Sequence, residues 1–339
     1  MKLDAIEISQ GFSILVIADY QWNGAVKFSG LLPMQQIGQA VQVLRHEDGH
    51  LQPLGLKLQP PTHPEIRGHD AKLVPKHGQI KTVERPFHAH EKQAGFVVLV
   101  HDHRGFGASD GAPRFDIDPW VQIADWRRAI SFLESLPTVD PDRIGVWGSS
   151  YAGGHAIVLG ATDRRLRAVV SQVPTISGYQ QSLRRVAPDS VTGLEAAFVD
   201  DDRRQFRGEP PATQAVVSSD PQEPAAYRAP DAVAFYRQPV PTGAWDNIVT
   251  IRSSRAARNY EPGQWISRVS PTPLLMVVGM KDTVTLTDLA LDAYEKALQP
   301  KKLVTVDGGH FDPYVNQFDT AAGAALNWFT QHLNSTQPN

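Results

Sequence analysis

The sequence predicts an α/β domain: a mostly parallel sheet with helices on both faces. Three observations lead there. From about residue 94 onward, short apolar runs alternate with stretches of amphipathic helical periodicity. The apolar runs are continuous rather than alternating with polar residues, which is the pattern of strands buried on both faces. Five of them follow one another with helical patterns between or after them, and no internal repeat is visible.

Taken in order, "FVVLVHDH" (96–103) is the first strand of this series. A helix follows, with Asp118 at its N-cap, Pro119 in its first turn, and Ile123, Trp126, Ile130 and Leu133 on one face; Pro137 ends it. "RIGVWG" (143–148), "RAVVSQV" (167–173), "PLLMVVG" (273–279) and "KLVTV" (302–306) are the next strands. "LTDLALDAYEKAL" (286–298) and "DPYVNQFDTAAGAALNWF" (312–329) are the later helices. Residues 178–262 break this rhythm with Arg and Asp clusters, Pro-rich turns, helix-like pieces such as 190–206 and no strong strand. The segment reads either as a lid or cap inserted between two sheet strands or as a disordered surface insertion. Tyr179, Phe198, Phe206, Tyr227, Phe235, Tyr236 and Trp245 favour the lid, because disordered segments are poor in aromatics. The chain then divides into an atypical N-terminal part of the domain (1–93), a core (94–177 and 263–334) and the lid (178–262).

Composition narrows the function. A chain of 339 residues with 41% hydrophobic content can bury a large core. A net charge of −3 with dispersed Lys and Arg offers no footprint for nucleic acid. No run approaches the ~18 apolar residues of a membrane span, and "FSILVIA" is too short and too close to Asp4 and Glu7 for a signal peptide, so a cytoplasmic protein is expected. The chain has no cysteine, which removes disulfides, thiolate metal sites and a cysteine nucleophile together.

The chemistry concentrates in "GVWGSSYAGG". A nucleophile on a sharp strand-to-helix turn occupies a strained backbone conformation, and the residues two before and two after it must be small. Ser150 meets this with Gly148 and Ala152, whereas Ser149 has Trp147 and Tyr151 at those places. Alanine at 152 departs from the strict glycine pattern by one methyl group. The alternative, a phosphate-binding turn, lacks both the G-x-G-x-x-G spacing and a P-loop lysine. A serine needs a base, and the base needs an orienting carboxylate. In α/β hydrolases these partners follow in the order Ser, Asp, His, each just past a strand end. Asp282 in "LLMVVGMKDTVT" and His310 in "LVTVDGGHFDPY" fit that order. Asp307 lies too near its strand end to orient His310, and Asp312 reads as the cap of a helix starting at Pro313.

Over about residues 86–334 the sequence resembles α/β hydrolases related to the fungal polyketide transferases, within the dienelactone-hydrolase and Xaa-Pro-dipeptidyl-peptidase-like group. "FVVLVHDHRGFGASDGAPR", "DWRRAISFLESLPTVDPDRIGVWGSSYAGGHA" and "LLMVVGMKDTVT" carry the resemblance. It implies the α/β-hydrolase fold, a Ser150–Asp282–His310 triad and a helical lid over 178–262. It does not imply a substrate, since members act on varied esters, thioesters, lactones and polyketide acyl groups. His88, His90, His101 and His103 form two H-x-H pairs that suggest a metal hydrolase, but no convincing carboxylate set accompanies them. The resemblance makes Arg104 and Asp110, in "RGFGASDG", structural.

An oxyanion hole needs the amide of Tyr151 and a second amide from an earlier loop, where the family carries a His-Gly pair. His77–Gly78 is the only such pair in that region, which makes Gln79 the second donor. The surroundings conflict with the catalytic half. Residues 46–90 hold seven of the twelve histidines, 23–95 contain only Phe28 and Phe87 as aromatics, and only "FSILVIA" and "AVQVL" have strand character. A shifted reading frame or a divergent start would account for this stretch, with its first strands poorly formed and the second oxyanion amide in doubt. The function expected is a serine hydrolase of an ester, thioester or lactone of a small-molecule acyl substrate, with no cofactor. An acyl or polyketide transferase with the same triad is the alternative, and a catalytically impaired or binding relative of the fold is the second.

Overall fold

The computed structural model describes residues 96–333 except 108, 137–138 and 239–244, together with the strands at 14–20, 41–47 and 50–53. Eight strands build one sheet. They are β1 (Ile14–Tyr20), β2 (Val41–Glu47), β3 (His50–Pro53), β4 (Phe96–His101), β5 (Val139–Ser149), β6 (Leu166–Gln172), β10 (Leu274–Gly279) and β11 (Lys301–Val306). Their order across the sheet is β11-β10-β6-β5-β1-β4-β2-β3. Neighbours pair in parallel except at β1, which runs antiparallel to both β4 and β5, and at β3, which runs antiparallel to β2.

The expectation of poorly formed early strands is therefore overturned. Val16 of β1 faces Leu99 on one side and Val146 on the other, while β2 and β3 extend the sheet beyond β4. An uninterrupted apolar run such as "ILVIA" suits a central strand. Glu47 pairs with His50 across Asp48 and Gly49, the residue pair that favours a tight hairpin.

The pleat sends alternate residues to opposite faces, and each face has its own helices. Val146, Val169, Met276 and Val278 pack with α1 (Pro119–Glu134), α2 (Tyr151–Thr162) and α7 (Thr287–Lys296). Trp147, Val170, Leu275 and Val277 pack with α8 (Phe318–Leu333) on the other side. As the sequence predicts, Asp118 caps α1, its carboxylate accepting the amides of Trp120 and Val121 at 2.8 and 3.1 Å. The helix expected from 312 starts later. Asp312–Tyr314 form a 3-10 turn in which the Asp312 carboxylate accepts the Gly309 amide, so Asp312 ties down the loop of His310 instead of capping α8.

Between β6 and β10 the chain forms α3 (Gly178–Arg185), α4 (Val191–Phe206), α5 (Pro230–Tyr236) and α6 (Ile251–Arg258). It also holds a small sheet that the sequence reading lacks, made of β7 (Thr213–Val217), β8 (Ala225–Tyr227) and β9 (Val249–Thr250). Strands this short carry too few residues for a periodic signal. The segment is fastened to the loop before α1: Arg252 makes a two-pronged ion pair with Asp116 at 2.7 Å on each oxygen, and Thr250 donates its amide to the Phe115 carbonyl at 2.9 Å. No helix among the described residues is long and apolar enough to cross a membrane.

Candidate active site

Ser150 stands between the last residue of β5 and the first of α2 with φ 59° and ψ −120°, a region that non-glycine residues rarely occupy. The turn is held from three sides. The Ser150 amide donates to the Gln172 carbonyl at 2.9 Å, and its own carbonyl accepts from Gly153 and Thr175 at 3.0 and 2.9 Å. A Cβ at Gly148 would run into the Ala152 carbonyl, which explains the small residue two places before Ser150. Gly153 is also confined: a Cβ there would lie 2.9 Å from the Gln172 carbonyl oxygen.

Asp282 lies just past β10 and His310 just past β11, and parallel pairing of these strands brings the two loops side by side. His310 Nδ1 donates to Asp282 Oδ2 at 2.8 Å, which leaves Nε2 to accept from the Ser150 hydroxyl at 2.9 Å. All three side chains are buried. The other Asp282 oxygen, Oδ1, accepts the amides of Val284 and Thr285 at 2.8 and 2.9 Å, and Thr285 Oγ1 lies 2.8 Å from Oδ2. Burial alone would raise the Asp282 carboxyl; the positive charge that His310 can carry, its hydrogen bond and those of Thr285 outweigh burial and hold the group below the usual carboxylate range. A carboxylate ionised in this way fixes the imidazole tautomer that can take a proton from serine.

Ser149 is engaged elsewhere. Its hydroxyl donates to the Tyr314 hydroxyl at 2.5 Å and accepts from Gln172 Nε2 at 3.0 Å. Of the other acids near His310, Asp307 pairs on the surface with Lys281 at 2.7 Å. Tyr151 opens α2 immediately after Ser150, while Gln79, like His77 and Gly78, lies outside the described residues. His101 and His103 are buried with their rings against Trp126, at centroid distances of 4.3 and 6.1 Å. Arg104 donates to the buried Asp125 through Nε at 3.2 Å and Nη2 at 2.5 Å, which anchors the loop after β4 to α1.

The sequence reading misses five residues around this centre. Thr285 Oγ1 is within reach of both Asp282 and the carbonyl of Val173, the latter at 2.9 Å. Val173 itself has φ 36°, a strained conformation for a β-branched residue, right after the strand whose Gln172 carbonyl holds Ser150. Tyr314 and Gln172 grip Ser149. His155, fully buried one turn along α2, donates Nε2–H to Gln122 Oε1 at 2.9 Å and accepts from the Tyr260 hydroxyl at 2.8 Å; burial drives its pKa well below the ordinary value. Only Thr285 had a local signal, as a hydroxyl three residues after an aspartate in a turn.

The family model of X-Pro dipeptidyl-peptidases (S15 family) matches residues 75–312. The quorum-quenching protein AidA of Acinetobacter baumannii is 32% identical over 66% of this chain and 72% of its own length. Polyketide transferase claH of Penicillium crustosum is 29% identical over 65% of this chain and 73% of its own. The thiohydrolase of Eupenicillium brefeldianum is 30% identical over 64% and 70%. Among solved structures, the α/β hydrolase GrgF from Penicillium sp. sh18 superposes with a TM-score of 0.61 at 24% identity, covering 72% of this chain and 83% of that one, a likeness of fold.

Proposed function

We propose that this chain, a member of the X-Pro dipeptidyl-peptidase (S15) family of α/β hydrolases and transferases, is a serine hydrolase that opens an ester, thioester or lactone carbonyl of a small acyl substrate. The observation that carries the reading is the single line of hydrogen bonds from Ser150 through His310 to Asp282, set on a strained turn at a helix N-terminus. In this reading Ser150 Oγ attacks the carbonyl carbon as its proton passes to His310 Nε2. The Asp282 carboxylate steadies the imidazolium. The amide of Tyr151, with that of Gln79, stabilises the oxyanion. His310 then protonates the leaving group, the acyl group stays on Ser150, and water activated by the same histidine releases it.

Acyl transfer is the second reading, favoured by relatives that carry the name polyketide transferase; there an acceptor alcohol or amine replaces the water. Turnover of 4-nitrophenyl esters of increasing chain length tests the first. The wild-type chain should hydrolyse at least one of them, and Ser150→Ala should lower kcat by about 10⁶-fold. Absence of turnover across the series, or equal turnover by Ser150→Ala, would contradict it. The ratio of ester to acid formed in the presence of an added alcohol separates transfer from hydrolysis.

A further inference from the structure

The segment between β6 and β10 sets a wall of aromatic rings beside His310. Phe311 and Tyr314, in the loop that follows His310, meet Phe235 with ring centroids 4.4 and 5.3 Å away. Next to Phe235, Tyr236 stacks on Trp245 at 5.9 Å and on Tyr227 at 6.3 Å. At the Tyr227 end, the guanidinium of Arg185 lies 4.6 Å from the ring centroid, and its Nη2 donates to the Val284 carbonyl at 3.2 Å. Val284 belongs to the loop of Asp282 and Thr285. Both ends of the wall therefore rest on loops that carry members of the Ser150–His310–Asp282 line.

Arg185 differs from Arg184, Arg252, Arg255 and Arg258 in what neutralises it. Its neighbour Arg184 makes two bonds to Asp288 at 2.8 and 2.7 Å, and Arg252, Arg255 and Arg258 each hold an acidic partner. Among the described residues no carboxylate lies within 4.0 Å of Arg185. A ring face and a carbonyl orient its charge without cancelling it, and a planar guanidinium held that way is suited to a carboxylate or phosphate oxygen pair. Its field reaches into the wall: burial drives the Tyr236 hydroxyl well above the ordinary phenol range, and Arg185 pulls it the other way.

We infer that Arg185 binds an anionic group of the substrate whose acyl part lies along this aromatic wall with its carbonyl at Ser150. The inference rests on the serine-hydrolase reading and adds a substrate class to it, namely acyl compounds bearing a carboxylate or phosphate. The anion could sit at the far end of the acyl chain or on the leaving group, and the two sources are separable.

Three chromogenic substrates suffice: 4-nitrophenyl hexanoate, the 4-nitrophenyl half-ester of adipate, and the hexanoate of a nitrophenol carrying a ring carboxylate. One of the two anionic esters should exceed the neutral ester in kcat/KM by about 10-fold, the value of one charge-assisted contact. Arg185→Gln should bring that ratio to about 1, Arg185→Lys should retain part of it, and Arg184→Gln should keep it. The ester that responds identifies the source. Equal kcat/KM for all three esters in the wild type, or an anionic-to-neutral ratio that survives Arg185→Gln, would overturn the inference. Tryptophan fluorescence titration with adipate and with its diamide reads the same contact without turnover. Tighter binding of adipate that disappears in Arg185→Gln upholds the site even in a chain that hydrolyses nothing, whereas equal binding of the two ligands overturns it.

Discussion

Two regions meet around Ser150, and they are held in place by different forces. The loops at 148–154, 279–285 and 306–312 are fixed by backbone amides, carbonyls and the buried hydrogen bond between His310 and the Asp282 carboxylate, and a substitution as small as Gly148→Ala would have to displace the Ala152 carbonyl. The segment between β6 and β10 holds its helices together largely with ion pairs on the surface, such as Arg255 with Asp202 and Arg258 with Glu195, around a small apolar cluster built on Val217, Phe235 and Tyr236. Buried hydrogen bonds to charged groups are strong and specific in geometry, whereas exposed pairs are weak and screened by salt. Ser150, His310 and Asp282 are thus set by the backbone of the core, while the aromatic cluster beside them is carried on a segment fastened largely by exposed pairs.

Substitution in the core should have the larger consequences. Asp282→Asn keeps the size of the side chain but removes the charge that fixes the His310 tautomer, and it should lower kcat by about 10⁴-fold in ester hydrolysis. A fall of less than about 10-fold would show that Asp282 is only a loop residue. The same substitution has a signature in stability. Asp282 is held below its ordinary range in the folded chain, so its stabilisation is complete above the unfolded value of roughly 4 and is lost as pH falls through the lower folded value. Denaturation midpoints of wild type and Asp282→Asn should differ at neutral pH and converge on acidification. Parallel curves down to pH 2 would mean that the carboxylate gains nothing from its surroundings.

The smallest effect belongs to the surface of the inserted segment. Arg255→Gln removes a two-pronged but exposed pair with Asp202, so it should shift stability by no more than about 1 kcal/mol, and added salt should erase the difference. A loss of several kcal/mol, unaffected by salt, would place the segment among the rigid parts of the molecule and remove the contrast.

How much of this was legible follows from how local each signal is. Gly148, Ser150 and Ala152 declare the turn within five residues, and Asp118–Pro119 declare the start of α1 as plainly, because steric and capping rules act over a few bonds. Asp282 and His310 are recognisable through chain order and strand ends. The place of β1 between β4 and β5 was not legible: which strand lies beside which is decided by burial across the whole sheet, and "ILVIA" looks the same in a central position as elsewhere. β2 and β3 had a usable signal in Asp48–Gly49 that the histidine-rich composition obscured. The helix placed at 312 failed because Asp312 turns its carboxylate back to the Gly309 amide, a contact that competes with helix capping. Tyr314, Gln172 and His155 act only through partners far away in sequence, so no spacing announced them. Gln79 lies outside the described residues, and the second oxyanion amide stays a proposal.

The central claim is that Ser150, and not its neighbour Ser149, is the nucleophile. Treating the intact chain with a fluorophosphonate probe and mapping the adduct by mass spectrometry tests this directly. The strained turn and the 2.9 Å bond to His310 Nε2 predict modification of Ser150, abolished in Ser150→Ala, with Ser149 held by Tyr314 and Gln172 and left unmodified. An adduct on Ser149, or labelling that persists in Ser150→Ala, would contradict the account.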